Sequence, residues 1–486
     1  NFIMMKTNIL KTYIHGLDVI LKGGFIRSHT YLLTGTAGTG KTILSFQIIK
    51  NNLEKGEKCM YITLQEPYKT LIDNIKPFGW KLDDIKIVDL TPGSKNLNLE
   101  QYQIFSPHEV EISEIWEQIF EKIEEYRPTL LVIDSITFLQ YQSFDEYQFR
   151  KHIIEFVNYL NSIECTSFLL YEPSELVRDI SLALSVDGVI SLSRVLSESR
   201  VIDIRAVEIQ KMRGSDYLSG LHSLRITSQG IVIYPDIIES GKYSKISEEK
   251  LFTGIKELDE LLKGGIEEGT STLITGPTGV GKSTLGILFL YQALEKGKHA
   301  VLYSFEESKE YIVKRATNIK INILPYLEAQ KLKIMHINPL ELYPDEFLEF
   351  VRRDVFEGAN IIMIDSLKGY YLSMEQFGSM LANVQNMINF LRTNGVSTIL
   401  INEVAQITGD LSLTEFGISY IIDNALLLRY AELNGQLIRV IGCVKKRLGD
   451  FEPDIREIKI NNNEGIKVGK KLENVYGILT GVPTIK

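Results

Sequence analysis

Two glycine-rich loops carry the clearest chemistry in this sequence. Gly35-Thr36-Ala37-Gly38-Thr39-Gly40-Lys41-Thr42 and Gly276-Pro277-Thr278-Gly279-Val280-Gly281-Lys282-Ser283 both fit G-x-x-x-x-G-K-[ST], and Thr284 follows the second. Such a loop turns tightly enough to aim consecutive backbone N–H groups at phosphate oxygens. The helix that follows adds its partial positive charge. Gly35, Gly38, Thr39 and Gly40 are expected to cradle one nucleotide, and Gly276, Gly279, Val280, Gly281 and Thr284 another. Lys41 and Lys282 are expected at the β- and γ-phosphates. The hydroxyls of Thr42 and Ser283 are expected on Mg²⁺, so ATP and Mg²⁺ are the implied cofactors.

Asp134 and Asp365 each end an apolar run downstream of a loop, where a carboxylate can hold Mg²⁺ directly or through water; the alternative is a cap on the next helix. Hydrolysis also needs a base beside the γ-phosphate. Glu306 and Glu307 suit that role, and the matching pair in the first half is Gln65 and Glu66. An amide cannot take up a proton, so either Glu66 serves instead or the first site is slow. The other reading makes these residues solvated loop carboxylates. Lys211 and Arg213, and likewise Lys445 and Arg447, follow apolar runs at alternate positions of a strand and so share a face. Two cations on one face can stabilise transition-state charge, in the same chain or a neighbouring subunit; otherwise they form a solvated basic strand end.

These residues need a scaffold, and the sequence writes it twice. Leu17-Asp18 to Gly23-Gly24 recurs as Leu258-Asp259 to Gly264-Gly265. Lys41 recurs as Lys282 and Glu66 as Glu307, all 241 residues later (282 − 41 = 241). The Asp134-Ser135 pair recurs as Asp365-Ser366 after 231 residues (365 − 134 = 231), and Lys211 as Lys445 after 234 (445 − 211 = 234). Two tandem domains follow, 1–238 and 239–486, with a polar joint near 238–245. Within each, short apolar runs such as Tyr31–Thr34, Met60–Leu64, Leu130–Asp134 and Ser167–Tyr171 alternate with helical patterns such as Val110–Tyr126. That alternation predicts an α/β fold, each domain a mostly parallel sheet flanked by helices.

Composition removes other classes. The chain has 486 residues, with 53 Lys and Arg against 62 Asp and Glu, a net charge of −9. This acidic balance, without basic residues interleaved with aromatics, argues against a nucleic-acid partner. Glu403, expected in an inner loop beside Asn402, would repel phosphate. No apolar run is long enough to span a membrane. The three cysteines lie far apart, no signal peptide is evident, and the expected location is the cytoplasm.

Taken in order, these pieces resemble the KaiC family of RecA-like ATPases, twice over. The resemblance rests on the Leu-Asp…Gly-Gly opening, the phosphate loops, Glu306-Glu307, the Asp-Ser strand ends, Lys-x-Arg and the closing Gly477–Pro483. It implies a ring, hexameric in double-domain members, with ATP between subunits and each Lys/Arg pair reaching the neighbour's nucleotide. It implies slow hydrolysis in the first domain and autokinase and phosphatase activity in the second. Ser419 matches the serine of the family's phosphorylated Ser-Thr pair, with Tyr420 in place of the threonine. The function so implied is an ATP-driven signalling or timing switch; the alternative is a RecA-like recombination, repair or helicase-type motor. A KaiB-like partner remains open. The chain stops at Lys486 without the regulatory tail that recruits KaiA, which argues against a KaiA-type partner.

Overall fold

A computed structural model describes residues 8–82, 84–92, 107–143, 145–173, 180–196, 203–237, 247–374, 380–404, 417–433, 435–473, 475–476 and 484–485. The expected joint at 238–245 and the closing Gly477–Pro483 lie outside them. The chain divides into two compact units, Asn1–Ile237 and Ile238–Lys486.

The first unit is built on a nine-stranded sheet. Its strands are β1 (Thr30–Thr34), β2 (Cys59–Thr63), β3 (Lys86–Asp89), β4 (Leu130–Asp134), β5 (Thr166–Tyr171), β6 (Gly188–Leu196), β7 (Asp203–Met212), β8 (Leu221–Thr227) and β9 (Gly230–Tyr234). Their order across the sheet is β9-β8-β7-β6-β1-β5-β4-β2-β3. The six strands from β6 to β3 run parallel. Strands β7, β8 and β9 continue the sheet as an antiparallel wing.

The second unit repeats this with β10 (Ser271–Gly276), β11 (Ala300–Ser304), β12 (Leu332–His336), β13 (Ile361–Asp365), β14 (Ser397–Glu403), β15 (Asn424–Leu433), β16 (Gln436–Lys446), β17 (Arg456–Asn461) and β18 (Gly465–Lys471). Their order is β18-β17-β16-β15-β10-β14-β13-β11-β12. Each unit is therefore a RecA-like α/β domain whose mostly parallel sheet is flanked by helices. The apolar runs ahead of Lys211 and Lys445 mark a late strand in each unit; what they do not show is that it runs antiparallel and begins a wing, because an apolar run carries no strand direction.

The central parallel strands of each sheet are buried on both faces. Alternate residues of β1 serve different cores: Tyr31 and Leu33 pack with Phe46 and Ile49 of the phosphate-loop helix, whereas Leu32 packs with Phe149 and Phe156 on the other side. Phe46 and Phe289 are wholly buried, each worth about 1.5–3 kcal/mol. They are core residues rather than base-stacking ones. All three cysteines are buried and unpaired.

The Leu-Asp…Gly-Gly opening proves to be scaffold. Asp18 accepts from Thr12 N and Oγ1 at 2.8 and 2.7 Å, and Asp259 from Thr253 N and Oγ1 at 2.7 and 2.8 Å. Both carboxylates cap a turn ahead of a short helix, His15–Ile20 or Lys256–Leu261.

Candidate nucleotide sites

Each phosphate loop joins the end of a central strand to a helix, β1 to Lys41–Leu53 and β10 to Lys282–Glu295. Gly40 and Gly281 stand at the helix starts with φ of 103° and 111°, which L side chains avoid. At Gly281 a Cβ would also lie 2.3 Å from Ile460 Cδ1. The loops therefore keep their shape only with glycine there. Thr39, Val280 and Thr284 are buried, so what they can offer a phosphate is backbone N–H.

Lys41 Nζ donates to the carbonyls of Gly35 and Thr36 at 2.6 and 3.0 Å. Lys282 Nζ donates to Pro277 O at 2.8 Å. Burial lowers the pKa of both ammonium groups. A buried cation satisfied mainly by loop carbonyls is poised for an anion in the loop.

The predicted metal residues meet in both units. Thr42 Oγ1 donates to Asp134 Oδ2 at 2.9 Å, and Ser283 hydrogen-bonds Asp365. Burial raises the pKa of both carboxyls, Asp365 to about 6. One hydroxyl and one carboxylate are hard oxygen donors that suit Mg²⁺, which takes its remaining ligands from phosphate and water. Asp134 has a further partner: Tyr61 Oη donates to Oδ2 at 2.5 Å. The position 241 residues on is Leu302. The Asp134–Ser135 and Asp365–Ser366 peptide bonds are both cis.

The predicted bases stand beside these aspartates. Ser135 Oγ donates to Gln65 Oε1 at 3.1 Å, and Ser366 Oγ to Glu306 Oε1 at 2.6 Å. Glu66 accepts from Asn74 Nδ2, whereas Glu307 is ion-paired with Arg315 at 2.6 Å. Burial first, then the charge of Asp134, raises the pKa of Glu66. Gln65, Glu66 and Asn74 line a cavity of ≈ 430 Å³ together with Gly38, Gly40, Lys41, Thr42 and Asp134.

That cavity also holds Glu172, which the sequence reading missed; its carboxylate lies 3.8 Å from Lys41 Nζ. Its counterpart is Glu403, whose charge acts on Lys282. The two are 231 residues apart (403 − 172 = 231), the spacing of the two aspartates, and that repeat was the available signal. Glu403 ends β14 rather than lying in an inner loop, and it pairs with Lys368 at 3.6 Å.

The Lys/Arg pairs lie elsewhere. Lys211 Nζ donates to the carbonyls of Ala183 and Val186, and Arg213 lies 3.7 Å from Asp187. Lys445 Nζ donates to the carbonyls of Ser419 and Ile422 at 2.8 and 2.6 Å. Arg447 donates to Tyr420 O and to Asp423 Oδ1. Ser419 is half-buried in the single turn Ile418–Tyr420, and Tyr420 is exposed. Asp423 N donates to Ser271 O, at the start of β10, whereas the phosphate loop leaves β10 at its other end. Five residue steps of strand separate those ends by about 17 Å. Ser419, Lys445 and Arg447 thus occupy the edge of the sheet opposite their own phosphate loop. Asp187 N donates to Thr30 O at the start of β1, which puts Lys211 and Arg213 at the same edge of the first unit.

This twice-built phosphate site has close relatives. A family model described as "ATPase: KaiC" matches residues 10–237 and again 251–473. The chain belongs to the KaiC ATPase family. Each unit is thus a KaiC-type ATPase domain, a family that binds nucleotide. Among similar proteins, the circadian clock protein KaiC3 of Synechocystis sp. is 27% identical over 98% of this chain and 94% of its own length. The circadian clock oscillator protein KaiC 1 of Synechocystis sp. is 28% identical over 98% of this chain and 92% of its own length. The circadian clock oscillator protein KaiC of Synechococcus elongatus is 28% identical over the same shares. Among the described residues, no helix of this KaiC-family chain is long and apolar enough to cross a membrane.

Proposed function

We propose that this KaiC-family chain assembles into a ring, hexameric as in double-domain members. In that ring it hydrolyses Mg²⁺-bound ATP at both phosphate loops, and its nucleotide state serves as a signalling or timing switch. The observation that supports this most directly is the doubled constellation of loop lysine, hydroxyl and strand-end aspartate. Lys41 and Lys282 would neutralise the β- and γ-phosphates. Thr42 with Asp134, and Ser283 with Asp365, would hold Mg²⁺, which spreads the charge of the phosphates. Glu66 in the first site, and Glu306 with Glu307 in the second, would orient and deprotonate water.

Lys211 with Arg213, and Lys445 with Arg447, would act on a neighbouring subunit's nucleotide, because they lie at the sheet edge opposite their own loop. The same placement makes Ser419 a candidate for phosphorylation by a neighbour, with Lys445 holding its backbone carbonyl. A KaiB-like protein is the candidate partner, by family resemblance alone.

Steady-state phosphate release with Mg²⁺ and ATP tests the enzyme. Lys41→Ala and Lys282→Ala should each remove the turnover of one site, and the double variant should lose about 10²–10³-fold or more. Wild-type protein with no Mg²⁺-dependent release would overturn the ATPase reading. Intact mass after incubation with ATP tests Ser419: an added phosphate absent from Ser419→Ala supports the autokinase, and no added phosphate rejects it.

A further inference from the structure

We propose that the two sites draw their water-activating carboxylate from different positions of one loop, and that the residue eight places beyond the loop decides which. This rests on the ATPase reading above. Positions 65, 66 and 74 of the first unit are Gln, Glu and Asn. The same positions 241 residues on, 306, 307 and 315, are Glu, Glu and Arg. Three residues differ in charge or partner, yet each set carries a net charge of −1: one carboxylate in the first unit, two carboxylates and a guanidinium in the second.

The geometry says which carboxylate each set leaves for water. Arg315 Nη1 lies 2.6 Å from both carboxylate oxygens of Glu307. Its Nε and Nη2 are buried without a hydrogen-bond partner, so the cation is compensated by Glu307 in direct contact and by the charge of Asp365. Both oxygens of Glu307 thus face the guanidinium, which leaves that carboxylate badly placed to receive a water. Glu306 instead accepts from the neutral hydroxyl of Ser366 at 2.6 Å. In the first unit the arginine is replaced by Asn74, a neutral donor to Glu66, and position 65 is an amide that cannot accept a proton. Each site therefore keeps one carboxylate with a neutral partner, Glu66 in the first and Glu306 in the second. In each, that carboxylate takes a proton from water as the water oxygen bonds to the γ-phosphorus. The bond from γ-phosphorus to the bridging oxygen breaks, and ADP leaves with its electron pair. Arg315 is a positioning residue: it acts through Glu307.

The test rewrites each site as the other, in the full chain, with kcat and KM for ATP as readouts. In a Lys41→Ala background, Glu306→Gln should lower the remaining kcat about 100-fold. Adding Arg315→Asn gives the second site the first site's Gln-Glu-Asn set, and should restore kcat at least about tenfold with KM unchanged. Arg315→Lys, which keeps the cation, should restore nothing. In a Lys282→Ala background, Asn74→Arg should lower kcat and added Gln65→Glu should recover it. A second substitution that recovers rate cannot be explained by misfolding. Failure to recover at either site, or equal recovery with Arg315→Lys, overturns the assignment. No turnover in both single-lysine parents overturns the ATPase reading itself.

Discussion

In the first unit Asp134 receives two hydroxyls, from Thr42 and Tyr61; in the second, Asp365 receives Ser283, and Leu302 stands where Tyr61 would. The loop beside it carries Gln65, Glu66 and Asn74 in one unit, and Glu306, Glu307 and Arg315 in the other. The backbone around these residues does not diverge with them. Both loops enter their helix through a left-handed glycine, both aspartates end the same strand of the same sheet order, and both are followed by serine. A left-handed glycine at a helix start tolerates no side chain, whereas partners around a buried carboxylate can change in compensated sets. Two copies of one scaffold can therefore run at different rates.

The largest expected contrast is between the two glutamates. Glu306→Gln should lower turnover at its own site by about 10²–10⁴-fold. We expect a smaller loss of total turnover from Glu66→Gln, because a first site with a single loop carboxylate is expected to contribute less of that total. Measuring phosphate release for both variants under saturating ATP decides it. Equal losses would mean that the sites are kinetically equivalent despite their different loops.

Much of this contrast was legible in the sequence. The phosphate loops, both aspartates and the Gln65–Glu306 difference follow from motif and repeat alone. Asn74 and Arg315 did not stand out, because they sit on a helix eight residues beyond the loop and belong to no motif. Glu172 was missed, and Glu403 was placed in an inner loop, because one carboxylate at the end of an apolar strand says little until it is matched with its duplicate 231 residues away (403 − 172 = 231). The strands ahead of Lys211 and Lys445 were legible as apolar runs, but the antiparallel wing they begin was not, since an apolar run does not state strand direction. Alternation did place Lys211 with Arg213, and Lys445 with Arg447, on shared faces. Strand order was needed to show that those faces lie at the edge opposite the phosphate loop.

A second contrast concerns pH. Asp365 in the folded chain, free of nucleotide, has its pKa raised by burial from 3.8 to about 6. The folded state then binds this proton more tightly than the unfolded state does. Stability contributed by the protonated form is complete below about pH 4 and falls as pH rises to about 6, by up to about 3 kcal/mol. Asp365→Asn should remove that slope. Burial raises the pKa of Asp134 as well, but the hydroxyls of Tyr61 and Thr42 favour its charged form and oppose the rise. Asp134→Asn should therefore flatten the profile less. Urea midpoints at pH 4.5 and 6.5 for the three proteins measure this. A larger effect from Asp134→Asn would mean that Tyr61 does not offset burial.

The smallest effect belongs where the two units should not differ. Asp18 and Asp259 hold the same turn with matching bonds to Thr12 and Thr253, and in each unit a further backbone N–H, that of Tyr13 or Gly254, completes the cap at 3.0 or 3.2 Å. Replacing either with Ala leaves these donors without an acceptor at the start of a short helix, at a cost of about 1 kcal/mol. In a unit of this size that is a fall of about 2–4 °C in its melting temperature. Thermal unfolding of Asp18→Ala and Asp259→Ala should show equal falls, with turnover per folded site unchanged, since both carboxylates are committed to that turn. A shift more than twice as large in one unit would mean that the duplicated scaffold has itself diverged. The rate contrast between Glu306 and Glu66 could then no longer be assigned to their loops alone.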